Sequence, residues 1–357
     1  MMRFFLTLFI ALFCYLSCLH AQEQTIALGG IFGLSGSAAR YGEWGNRGVQ
    51  LAIEEINQQG GIRGRQLKVY IEDDQSSPAK AITAYKKLTS LHDVSFFLTM
   101  QSSVALALSP HSNRDKNVQI DFTATTPSYS SPDDYTFRTG VLATQLAEDI
   151  AQYMYKTSGV KETGCLYIEN DYGAGMLQAF KKYYKGKILF EEPFREGESD
   201  YRAYLLKLKS KNIRDIWLIG HLREDGVIVR QAHELGMALR FFTDVYSVEG
   251  PDFLDIAGEV AQNIFYVAPT FHGNKGGTVA EHLAQLYRNR FGEDATYLVA
   301  QAYDAVYAFA HALKACDELS PTCVKDQLYK TEFEGASGTI TFDRNGDTKK
   351  ELTIKEL

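Results

Sequence analysis

Apolar residues in this chain switch between two periods, and the switch repeats along most of its length. Ile26-Ala27-Leu28 is a short apolar run, and Val49, Ile53 and Ile56 then fall on one helical face. Leu67, Val69 and Ile71 alternate with polar neighbours. A spacing near 3.6 marks a helix with one buried stripe, and a spacing of 2 marks a strand with one wet face. Ser77-Pro78 opens a helix expected to run to about Leu91, and Val94 to Leu98 and Val118 to Phe122 are strand-like. A second series follows, with strand Gly164 to Ile168, helix Gly175 to Tyr184, strand Ile188 to Glu191, helix Tyr201 to Lys209, strand Ile213 to Ile219 and helix Glu224 to Leu235. Strands that alternate with helices pair in parallel, with the helices packed on both faces. The expected class is α/β, with enough strands for two doubly wound parallel sheets. A length of 357 residues is also more than one ordinary core holds.

Composition narrows the class. Hydrophobic residues make up 45% and charged residues 23%, a globular balance that argues against disorder. The formal net charge is −7 with no basic block, which argues against nucleic acid as a partner. The first residues differ from the rest. Met1 to Cys18 carries one charge, Arg3, followed by the apolar run Phe4 to Phe13 and then by polar Gln22-Glu23-Gln24. This is the pattern of a secretory signal, and the run is shorter than the ~20 residues of a membrane-spanning helix. Cleavage after Ala21 is expected, which gives residues 1–21 as signal and a periplasmic mature chain. Lipidation of Cys18 is the alternative, on the weak lipobox Tyr15-Leu16-Ser17. Of five cysteines, Cys14 and Cys18 fall in the signal and Cys165 sits in an apolar stretch as a small buried hydrophobe. Cys316 and Cys323 flank a Ser-Pro turn, and in an exported protein this pair is expected to form a disulfide.

The stretch Leu34 to Leu67 begins with small, turn-prone residues and runs into a helix that stops at Gly60-Gly61. It holds neither G-x-G-x-x-G nor G-x-x-x-x-G-K-[ST], so it carries no nucleotide fingerprint. Gly33-Leu34-Ser35-Gly36-Ser37 approaches a nucleophile elbow but has no glycine at the fifth position. The histidines form no H-E-x-x-H, and no His or Cys pair lies close enough to the two late cysteines to build a zinc site. Asp343-Arg344-Asn345-Gly346-Asp347 departs from a calcium loop and fits a hairpin turn with Asn-Gly at its tip. No cofactor, metal or catalytic group is expected. The polar break Thr123 to Pro132 follows a strand, where open α/β sheets gather ligands, although many such loops are only connections.

The order of several short motifs carries a resemblance. Leu34-Ser-Gly, Tyr41-Gly, Val49-Gln-Leu-Ala-Ile-Glu-Glu-Ile-Asn, Gly60-Gly-Ile, Gly64 and a strand ending in Asp73-Asp74 come in sequence. Asn170-Asp171-Tyr172-Gly173-Ala174-Gly175, Arg230-Gln231-Ala232 with Leu235-Gly236, and Gly338-Thr-Ile-Thr-Phe-Asp follow. Together they resemble type I periplasmic binding proteins, above all the Leu/Ile/Val-binding proteins of branched-chain amino-acid ABC importers. The resemblance implies two α/β lobes joined by a three-segment hinge, with the ligand between them. Lobe 1 would take residues 22–141 and 271–334, and lobe 2 residues 142–270 and 335–357. The crossings would fall near Gly140-Val141-Leu142, Pro269-Thr270-Phe271 and Glu334-Gly335. The implied activity is capture of a small molecule by hinge closure and delivery to a membrane permease, by a monomer that does no chemistry.

The resemblance also implies a site. Tyr41 lines the cleft, unless it is a core aromatic. Gln101-Ser102-Ser103, after one strand and before a helical run, would place a serine and free backbone N–H groups against a carboxylate. Ser103 can serve equally as a helix cap. Thr123, Ala124 and Thr125 match a second binding loop, with a backbone carbonyl for an ammonium and a hydroxyl for a carboxylate. Tyr172 matches an aromatic on the second lobe. Two departures follow. His221-Leu222 stands where the family has an aromatic, and Thr243-Asp244-Val245-Tyr246 stands where it has a glutamate facing the ammonium. Asp244 either replaces that glutamate or is an ordinary loop carboxylate. The implied ligand is an aliphatic amino acid. An amide, a urea-like molecule or an aromatic acid stays open, as do a sensor of the same fold and a secreted α/β hydrolase.

Overall fold

The computed structural model describes residues 25–36, 38–271, 273 and 278–357. The expected signal at 1–21 and Cys18 lie outside them. The first sheet is wholly parallel in the order β2-β1-β3-β4-β5. Its strands are β1 (Ile26–Phe32), β2 (Leu67–Asp73), β3 (Phe96–Thr99), β4 (Val118–Asp121) and β5 (Thr136–Arg138). The crossovers are α1 (Ala39–Gln58), α2 (Pro78–His92) and α3 (Ser102–Asp115). β3 and β4 are buried along their whole length, as central strands covered on both faces must be. The buried polar residues of β4 pair within the core. Gln119 accepts from Ser112 Oγ at 3.0 Å, and Asp121 accepts from Thr99 Oγ1 at 2.8 Å.

The second sheet has the order β13-β10-β9-β8-β6-β7. It is built by β6 (Glu162–Ile168), β7 (Lys187–Phe194), β8 (Asp215–Ile219), β9 (Arg240–Asp244) and β10 (Ile264–Pro269), all parallel. Its helices are α4 (Ala143–Gln152), α5 (Asp171–Tyr183), α6 (Arg202–Ser210), α7 (Leu222–Glu234), the single turn α8 (Val245–Val248) and α9 (Pro251–Ala257). The chain then returns to the first sheet through α10 (Val279–Phe291), α11 (Tyr297–Ala315) and α12 (Pro321–Leu328). Helix α11 packs on α1 and β3. The Cys316–Cys323 disulfide closes the turn between α11 and α12.

The last segment departs from expectation. Glu334-Gly335 is not a passage between sheets. It ends β11 (Glu332–Gly335), which folds back on β12 (Gly338–Thr341) as an antiparallel hairpin. Phe342 then packs edge-on against Phe137 of β5, and Asp347 accepts from Arg138 Nε at 2.6 Å. The chain joins the second sheet only at β13 (Leu352–Glu356), antiparallel to β10. The passage therefore lies at 348–351, where Thr348 Oγ1 donates to the Gly140 carbonyl and Thr270 N–H donates to the Glu351 carbonyl. Those two bonds bring three stretches of chain side by side between the sheets.

Candidate functional site

The carboxyl ends of both sheets open on one cleft, which encloses a cavity of about 380 Å³. Most of its lining residues follow strands. Ser76, Met100 and Thr123 follow β2, β3 and β4, while Glu169, Glu196, His221 and Tyr246 follow β6, β7, β8 and β9. This is where ligands bind in open parallel sheets, because strand-end loops and helix N-termini converge there.

The first lobe supplies the head of α3. Gln101 caps it with φ of +75°, a left-handed conformation that turns the chain sharply from β3 into the helix. Its backbone N–H donates to Thr123 Oγ1 at 2.8 Å, and its side-chain Oε1 is buried with no partner among the described residues. Ser102 and Ser103 are the first two helical residues, and both line the cavity. A helix start leaves N–H groups unpaired and carries partial positive charge, which suits a carboxylate. The second lobe brings the head of α5 to the same cavity. Its cap Asn170 accepts from Gly173 N–H, and Asp171 N–H donates to Ser103 Oγ across the cleft at 3.4 Å.

The 123–125 loop divides its roles. Thr123 lines the cavity, and Ala124 does not. The Ala124 N–H donates to Asp121 Oδ1, and its carbonyl accepts from Arg138 Nη1 at 2.8 Å, so protein groups hold both ends of this peptide. Thr125 lies behind Ser102, where its N–H donates to Ser102 Oγ at 3.2 Å. Its own Oγ1 is buried without a partner among the described residues. Burial pushes the Asp121 carboxyl up to about 6, although the N–H groups of Thr123 and Ala124 both donate to it.

On the second lobe, Tyr172 and His221 form one wall, their rings parallel within 11° at 5.5 Å. His221 caps α7 and lies edge-on to Tyr41 at 5.6 Å. Asp244 sits behind this wall and does not line the cavity. It is fully buried, and its carboxylate accepts from Tyr172 Oη at 2.7 Å and from Tyr246 N–H at 2.8 Å. Burial pushes this carboxyl up to about 6. Of the two roles open to Asp244, this geometry makes it the cap of α8 and the anchor of Tyr172. Tyr41 lines the cleft as expected, and its hydroxyl is engaged by protein groups. That hydroxyl donates to the Tyr246 carbonyl at 2.6 Å and accepts from Leu222 N–H at 3.0 Å.

A model of the periplasmic binding protein family matches residues 25–352. The chain belongs to that family. The leucine-, isoleucine-, valine-, threonine- and alanine-binding protein of Pseudomonas aeruginosa is 27% identical over 99% of this chain and 95% of the relative. The branched-chain amino-acid transporter substrate-binding protein LivJ of Streptococcus pneumoniae, solved with isoleucine, superposes with a TM-score of 0.85 at 29% identity. That match covers 93% of this chain and 95% of the other. A benzoate-bound solute-binding protein of Rhodopseudomonas palustris shares the fold, with a TM-score of 0.85 at 18% identity over 93% of each chain. Among the described residues, no helix is long and apolar enough to cross a membrane.

Several residues of this periplasmic binding protein's cavity are missing from the sequence reading. Pro78 belongs to the Ser77-Pro78 helix start, which was legible only as structure, and Ser76 just before it carried no signal. Glu169, Glu196 and Tyr246 each lie just past a strand end, and that shared position was the available clue. Leu298 enters from α11, more than 170 residues after most of its cavity neighbours on the first lobe, and no local signal marks it.

Proposed function

We propose that this binding protein captures a small carboxylate-bearing molecule, with a branched-chain or other aliphatic amino acid first, and passes it to the permease of an ABC importer. The observation that carries this reading is the cavity between two helix N-termini, with Ser102 and Ser103 at the head of α3. Among the described residues its lining holds no lysine or arginine, while Glu169, Asp171 and Glu196 all border it. A carboxylate is then met by hydroxyls and helix N–H groups, and the ammonium is drawn toward the acidic second lobe. Pro78, Met100 and Leu298 leave an apolar part for an aliphatic side chain. The P. aeruginosa and S. pneumoniae relatives, which bind such amino acids, support the same reading.

The chain works as an exported monomer whose two lobes, joined at about 139–142, 269–271 and 348–351, close on the ligand. It performs no reaction. The serine nearest to a nucleophile elbow, Ser35, donates to Asp73 Oδ2 at 2.5 Å and holds the β1–α1 loop instead. A second reading, an aromatic acid, is favoured by one observation. Asp244 is turned away from the cavity, while Tyr41, Tyr172, His221 and Tyr246 line it. Thermal unfolding with L-leucine, L-isoleucine, L-valine and benzoate separates the two. A ligand at 100 times its Kd adds about 2.7 kcal/mol of stability. A shift with the amino acids alone supports the first reading, a shift with benzoate alone supports the second, and no shift with any of them overturns both.

A further inference from the structure

Two tyrosines cross the cleft in opposite directions. Tyr41, on α1 of the first lobe, places its hydroxyl between the Tyr246 carbonyl at 2.6 Å and the Leu222 N–H at 3.0 Å, both on the second lobe. Tyr246 reaches back, and its hydroxyl accepts from Gln301 Nε2 at 3.1 Å on α11 of the first lobe. Tyr41, Tyr246 and Leu222 are each less than a tenth exposed, and Gln301 is fully buried. Each phenol thus bonds the opposite lobe from a dry environment. These bonds join residues 55 to 205 positions apart in sequence, on lobes whose covalent connections are the crossing segments.

We propose that Tyr41 and Tyr246 form a reciprocal clasp, positioning residues that hold the lobes together and set the closing equilibrium for every ligand alike. This rests on the two-lobe capture reading. Opening separates the partners and returns each to water, so the bonds count in the closed form alone. Binding affinity scales with the fraction of the protein that is closing-competent. A contact made to the protein, and not to the ligand, must then change all affinities by one factor. The Tyr41 hydroxyl has its proton and one lone pair engaged by the second lobe, which is why it serves closure and not recognition.

Tyr41→Phe keeps the ring and removes only the hydroxyl. It leaves a buried N–H and a buried carbonyl unpaired in the closed form, and both are hydrated in the open form. Binding should weaken about five- to a hundredfold, by the same factor for L-leucine, L-valine and benzoate. Tyr246→Phe should weaken it about two- to tenfold. Closure is also read without any ligand. Ser103 Oγ and Asp171 N lie 3.4 Å apart across the cleft, so the rate of disulfide formation in a Ser103→Cys/Asp171→Cys protein follows the closed population. Adding Tyr41→Phe should slow that trapping. An unchanged trapping rate, or factors that differ between ligands, overturns the clasp. If none of the three ligands binds the unaltered protein, the functional reading fails, and the trapping rate still decides the clasp. Should Tyr41→Phe not fold, the same trapping comparison with Tyr246→Phe decides it.

Discussion

Asp244→Asn tests the placement of the most informative carboxylate in the molecule. The residue is fully buried, and burial raises its carboxyl from the ordinary 3.8 to about 6. An acid whose folded value lies above its unfolded value binds protons more tightly in the folded chain. The folded state therefore loses stability as pH rises through the window from about 4 to about 6. At ~1.4 kcal/mol per pH unit, the loss is about 3 kcal/mol once the group is charged in both states. Asparagine has nearly the same shape and cannot ionise. The expected result is a variant that is little changed in stability at pH 4 and gains on the native protein by up to about 3 kcal/mol at pH 7. Urea unfolding at pH 4, 5, 6 and 7 reads the difference. The binding arm is separate. Because Asp244 lies behind Tyr172, affinity for L-leucine should stay within about tenfold of native, a change of ~1.4 kcal/mol. Stability curves that run parallel across the four pH values would refute the burial argument. Complete loss of amino-acid binding, with the fold intact, would refute the placement and return Asp244 to the ammonium.

Ser102→Ala removes a cavity hydroxyl and the acceptor of the Thr125 N–H, so affinity for a carboxylate ligand should fall roughly 10- to 150-fold by calorimetry. Replacing Cys316 and Cys323 by serine opens a loop of sequence separation 7 and should cost about 2–3 kcal/mol in urea unfolding. Gly42→Ala would place a Cβ 2.1 Å from the Gly33 carbonyl oxygen, where α1 packs against its own entry loop. The helix must shift, at a cost of about 1–3 kcal/mol, read as a fall in the urea midpoint.

The sequence by itself determined the class, because periodicity reports which side of each element is dry. The first four strands, and α1 and α2 between them, were legible in that way, as was the second series as far as α7. The head of α3 was equally legible, since Gln101-Ser102-Ser103 lies between a strand and a helical run, and such a junction always presents free N–H groups. The tertiary structure decided what each polar group does once its neighbours are in place. Asp244 is a loop carboxylate in sequence, and only folding puts Tyr172 and Tyr246 on its oxygens. Ala124 was legible as part of a strand-end loop, but its carbonyl is taken by Arg138, fourteen residues on. The passage at 348–351 was misplaced at Glu334-Gly335 because a short hairpin carries no sign of the sheet it will leave. Tyr41 is the sharpest case. A tyrosine on an amphipathic helix suits a core or a cleft, and its role as a bridge exists only when two lobes meet. Periodicity is a property of one element and survives in the chain, whereas hydrogen-bond partners belong to pairs of elements and are chosen by the packing.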